Sequence, residues 1–82
     1  MDYPVKLASQ LGPVVAGVRR SLKLTQTEVA RRMGADQAAI SDLERDASRA
    51  SLERVLKLLS VLDCDLIIRE RSKGRTAKPD AW

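Results

Sequence analysis

The sequence predicts an all-α fold of four or five short helices closed by one C-terminal β-strand. Three observations carry this. Leu11, Val14, Val15, Val18 and Leu22 recur at helical spacing, one apolar stripe on one face. The stretch LTQTEVARRMGADQAAISDLE, residues 24–44, holds start and stop signals for two short helices around a glycine. In LDCDLIIRE, residues 62–70, the apolar residues Leu62, Cys64, Leu66 and Ile68 alternate with polar ones, interrupted only by Ile67, which reads as a strand.

Taken in order, residues 1–8 form an N-terminal arm and residues 9–62 a helical domain. The first helix starts either after Ser9 as its cap or at Gly12-Pro13, since proline suits a first turn. The second has Thr25 and Glu28 as a capping box, Leu24 and Val29 as a hydrophobic staple, and Gly34 as its stop, so it runs from Gln26 to Met33. Asp36 caps a third helix from Gln37 to about Arg45, with Ile40, Leu43 and Ala39 facing inward. Ala30, Ala38 and Ala39 are small enough for these two helices to cross closely. After the polar connection RDASRAS, Ser51 caps a fourth helix whose stripe is Leu52, Val55, Leu56, Leu59 and Leu62. Residues 63–70 are the strand, and residues 71–82 are a flexible basic tail that ends on Trp82.

Composition narrows the function. The chain has 82 residues, one cysteine and no histidine, so an internal disulfide, a zinc finger and a histidine-based triad are all excluded. No cofactor or metal is implied, and no enzyme. No run approaches the about 18 apolar residues that a membrane helix needs, and MDYPVKLASQ lacks a basic-then-apolar leader pattern, so the expected location is the cytoplasm. Residues 1–68 carry ten Lys/Arg against nine Asp/Glu, and residues 69–82 five against two. The formal charge of +4 therefore sits mostly in the tail, and a nucleic-acid partner must be argued from the motif.

A helix ending at glycine, a turn and a second helix match the helix-turn-helix unit. LTQTEVARRMG resembles the first motif helix of XRE-type domains of phage-repressor kind, and QAAISDLE their recognition helix; the cap, the glycine, Ile40 and Glu44 keep the shared spacing. The resemblance covers about Gln10 to Leu62. The order of helix, motif, helix, single strand and basic tail ending in tryptophan is further similar to the HipB antitoxins. The resemblance implies a lambda-repressor-like domain that binds double-stranded DNA.

In such domains the N-terminal end of the recognition helix enters the major groove. With Ile40 and Leu43 inward, helical spacing turns Gln37, Ala38 and Ser41 outward as base readers, with Asp42 beside them. Gln37 can pair with adenine as donor and acceptor at once, Ala38 can meet a thymine methyl, and Ser41 can hydrogen-bond several bases. Gln26, at the start of the first motif helix, can hold a phosphate, with Thr25 beside it mainly as a cap. Arg31, Arg32, Arg45 and Arg49 are phosphate candidates by charge, Arg45 and Arg49 the foremost because they follow the recognition helix. The resemblance implies a partly buried ion pair between Arg19 and Glu44, tying the first helix to the recognition helix.

A lone strand has nothing in its own chain to pair with, so Cys64, Leu66, Ile67 and Ile68 are expected to join the same strand of a second copy in a homodimer. Two recognition helices would then meet a palindromic operator, an inverted repeat. Trp82 is a candidate anchor for a partner's pocket, or a signal read by proteases; for the anchor, the HipB resemblance implies that the partner is a HipA-type kinase toxin. Two function classes follow: a repressor that is also the antitoxin of a HipBA-like type II system, or a stand-alone XRE-type regulator with no toxin partner.

Overall fold

A computed structural model describes residues 2–71 of the chain. Four helices follow one another: α1, Ala8–Ser21; α2, Gln26–Met33; α3, Gln37–Arg45; and α4, Leu52–Val61, with a 3-10 turn at Ala47–Arg49 between the last two. The expected tail and its Trp82 lie, from Ser72 on, outside the described residues.

The helix starts follow local chemistry. Thr25, Asp36 and Ser51 each accept a hydrogen bond from the backbone N–H three residues on, at 3.0, 2.9 and 3.1 Å. The sequence leaves two starts open for α1, and the structure takes neither. The helix begins at Ala8, with the N–H groups of Lys6 and Leu7 just before it held by the Gln10 side-chain oxygen; Ser9 lies inside the first turn and is not the cap. Pro13 lies inside the helix; it costs one intrahelical bond, since Ser9 O has no N–H at the fourth position on.

Three helices end in the same way. Lys23, Gly34 and Asp63 adopt left-handed φ values of 60°, 70° and 60°. The next residue, Leu24, Ala35 or Cys64, returns its N–H to a carbonyl five residues back, that of Arg19, Ala30 or Leu59. Only the middle one uses glycine, the residue for which this conformation carries no Cβ penalty.

The core gathers Val15 of α1, Val29, Ala30 and Met33 of α2, Ile40 and Leu43 of α3, Ala47, and Val55, Leu58, Leu59 and Leu62. On α4 the expected stripe is displaced. Leu58 is fully buried, whereas Leu52 and Leu56 are 65% and 42% exposed. This helix is apolar over much of its girth, so spacing admits two overlapping stripes, and packing against α2 selects Val55, Leu58, Leu59 and Leu62. Leu22, expected on the α1 stripe, is exposed as well, and Ala16 is buried in addition.

Helices α1 and α3 approach at Gly12. A Cβ there would collide with the Glu44 carbonyl, lying 2.8 Å from its carbon. Gly12 is a contact point between backbones and not a helix start. Of the alanines expected at the motif crossing, Ala30 is buried and Ala39 half-buried, while Ala38 is exposed. Residues 64–71 form neither helix nor ladder, and there is no strand among the described residues. A ladder needs two strands, and one copy offers a single candidate. The Arg69 guanidinium meets the Asp2 carboxylate at 3.3 Å, placing this segment beside the N-terminal arm.

Candidate nucleic-acid interface

The motif helices α2 and α3 pack closely, and α3 also lies on α1. Gln26 and Gln37 each follow a cap, so both occupy the first position of a helix. At that position a side chain stands beside free backbone N–H groups and the positive end of the helix dipole. The fold brings these two ends together, and Gln37 Nε2 donates to Gln26 Oε1 at 2.5 Å.

Behind the glutamines stands an ion pair. Arg19 Nε donates to Glu44 Oε2 at 2.6 Å, and Arg19 Nη2 donates to Glu44 Oε1 at 3.1 Å. Arg19 Nη1 donates to the Leu24 carbonyl at 2.9 Å, which ties the α1–α2 loop to the same group. The two side chains are 11% and 7% exposed. Gln26 Nε2 donates to Glu44 Oε1 at 2.9 Å. Burial alone would raise the Glu44 pKa; the hydrogen bonds from Arg19 and Gln26, with the Arg19 charge, outweigh it and hold the carboxyl below its ordinary value. Among the described residues no buried side-chain nitrogen or oxygen lacks a partner.

The capping box at the start of α2 is complete. Glu28 Oε1 accepts from the Thr25 N–H at 2.8 Å, and that backbone hydrogen bond lowers the Glu28 pKa. Asp46 caps the 3-10 turn through the Ser48 hydroxyl at 2.6 Å and its N–H at 3.1 Å, and these two bonds, the hydroxyl first, lower its pKa too.

On the outer side of α3 an open groove of about 640 Å³ runs between the helix and the 3-10 turn. Ala38, Asp42, Arg45, Arg49 and Arg54 line it. Asp42 is engaged by the Arg45 guanidinium one helical turn on. Gln37 and Ala38 are exposed and Ser41 is half-buried. The structure thus places Arg45 and Arg49 next to Ala38. Arg31 and Arg32 are exposed in the last turn of α2 and belong to neither the groove nor the hydrogen-bonded network. Sequence reasoning missed Arg54 and the double engagement of Gln26. The signal for the latter was present: Thr25-Gln26 and Asp36-Gln37 are the same cap-plus-glutamine pair.

The helix-turn-helix family model, HTH_3, matches residues 16–68. That span takes in α2, the turn at Gly34 and α3. The chain belongs to the helix-turn-helix family. Among solved structures, this helix-turn-helix protein is similar to a HipB–O1–O2 complex, with 26% identity, a TM-score of 0.79, and coverage of 84% of this chain and all of that one. It is similar at 25% identity to the structure of a HipA–HipB–O2–O3 complex and to a HipB–O4 20mer complex. Each of these has a TM-score of 0.80 and covers 87% of this chain and all of the other. No curated protein sequence matches this helix-turn-helix chain. Among its described residues no helix is long and apolar enough to cross a membrane.

Proposed function

We propose that this chain is a cytoplasmic, sequence-specific DNA-binding repressor and the antitoxin of a HipBA-like type II system. One observation carries the reading: the fold superposes on the full length of HipB chains, one of them in a HipA–HipB–O2–O3 complex. The geometry supports it, since both motif helices aim their first residues at one place.

In this reading Gln37, Ala38 and Ser41 meet base edges in the major groove. Gln26, Thr25, Arg45 and Arg49 hold phosphates on either side, with Arg32 as an outer contact. Two copies bind an inverted repeat as a homodimer, joined through Cys64, Leu66, Ile67 and Ile68. The exposure of the last three supports this, Ile68 being 90% exposed in the single chain. The partner is a HipA-like kinase, and Trp82 is its anchor.

Operator selection at stated salt, with Gln37→Ala beside wild type, tests the DNA half. Loss of preference at one position per half-site is expected; a uniform loss across all sequences would move Gln37 to the phosphate class. Capture of a HipA-type kinase by the full chain, and its weakening on removal of Trp82, tests the antitoxin half. Operator binding without capture of any such kinase would leave a stand-alone XRE-type regulator.

A further inference from the structure

We infer that Glu44 decides which end of the Gln37 amide faces DNA, and is thereby a positioning residue for base choice at a distance of two side chains. The inference rests on the DNA-reading role proposed above for Gln37. It follows from hydrogen-bond polarity along one chain of contacts.

A carboxylate accepts and cannot donate. Glu44 is held as a carboxylate by the two-pronged contact from Arg19. The atom of Gln26 that faces it at 2.9 Å must therefore be the nitrogen, Nε2. A glutamine amide has one nitrogen and one oxygen, so the opposite end of Gln26 is Oε1. That oxygen only accepts, and so Gln37 must meet it with Nε2, as it does at 2.5 Å. Each bond in the series fixes the sense of the next. The outward end of Gln37 is its oxygen, accompanied by the second Nε2 hydrogen.

This polarity has a consequence for recognition. Adenine shows the major groove a donor at N6 and an acceptor at N7, which an outward oxygen and a spare N–H complement. Guanine shows acceptors at both O6 and N7, and the outward oxygen would face O6 without a proton between them. A glutamine free to rotate could turn its NH₂ toward guanine instead. The locked amide thus favours adenine over guanine, and the lock originates at Glu44, which lies nearly a whole helix away from Gln37 in α3.

The test measures affinity for duplexes that differ only in A·T or G·C at the position that Gln37→Ala identifies. Wild type should prefer adenine by roughly tenfold, as a good two-bond contact does. Glu44→Gln presents both a donor and an acceptor, so it releases the polarity, and the preference should fall below roughly threefold with other positions unaffected. Gln26→Met breaks the chain, removes one donor from Glu44 and leaves both Arg19–Glu44 hydrogen bonds in place, and it should give the same result; it decides the matter if Glu44→Gln does not fold. Val55→Ala loosens the core away from the network and should keep the tenfold ratio. The inference is overturned if Gln26→Met and any folded Glu44→Gln keep the wild-type ratio, or if Val55→Ala loses it too. A wild type that selects no sequence at all removes the DNA-reading role, and the inference with it.

Discussion

Arg19 and Glu44 meet with little water around them, and the fold depends on both staying charged. The Glu44 pKa lies below its reference value of 4.5 in the folded chain. A lowered folded pKa contributes stability that is complete above the unfolded value and is lost as pH falls through the folded one. Acidification from pH about 6 to about 3 should therefore weaken the fold, and Glu44→Gln should lose less over that range than wild type. Urea titrations at the two pH values check this; equal losses would mean that Glu44 is not a determinant. Glu28 and Asp46 act in the same direction at the surface. Removal of the cation is more severe. Arg19→Ala leaves an uncompensated, mostly buried carboxylate, at a cost of about 3–5 kcal/mol. Sequence preference in whatever remains folded should be unchanged wherever the pH keeps Glu44 ionised. A variant that melts like wild type with uniformly weaker DNA binding would make Arg19 a phosphate contact instead.

At the scale of elements, what was legible in the sequence was local. The limits of α2 and α3 depend on a cap, a left-handed glycine and their immediate neighbours, all within a few residues. The α4 stripe was misread because its choice between two apolar faces belongs to α2, which spacing along α4 does not contain. The start of α1 was misread because Gln10 reaches back to the N–H groups of Lys6 and Leu7 ahead of the helix, a contact that a search for a serine cap does not register. Gly12 looked like a helix start, but its reason lies 32 residues away, at Glu44. Gly12→Ala should force α1 and α3 apart and cost about 1–3 kcal/mol in chemical denaturation, as overpacking does. An unchanged midpoint would show that the two backbones separate freely. Lys23 offers the opposite case. Its φ of 60° is strained for a side chain, so Lys23→Gly should add about 1 kcal/mol of stability, readable as a higher melting temperature.

The whole molecule leaves apolar surface uncovered. Leu66, Ile67 and Ile68 are more than half exposed in one copy, and the alternation that suggested a strand has no partner within the chain. This part of the architecture was legible only as an incomplete element, because the described residues offer no second strand to complete it. Light scattering at micromolar concentration should give twice the monomer mass, and Ile67→Lys should return the monomer with the helical circular dichroism retained. A wild-type monomer, with and without DNA, would remove the paired-strand arrangement. The candidate site was legible to a similar depth. Arg19 and Glu44 were expected as a pair, and Gln26 and Gln37 were singled out separately; the repeated cap-plus-glutamine pair marks both as first residues of helices, but only the fold brings those two helix ends together.

The contact at Gly12 bears on how such a protein could be redirected. There one backbone rests on another, so the pitch of the recognition helix is referenced to atoms that every amino acid shares. Ala38, exposed, and Ser41, half-buried, take no part in that reference. They can be exchanged as type is exchanged in a fixed press, with the impression altered and the alignment kept. A library varied at 38 and 41, with Gly12 held constant, should yield new operator preferences at an undiminished melting temperature.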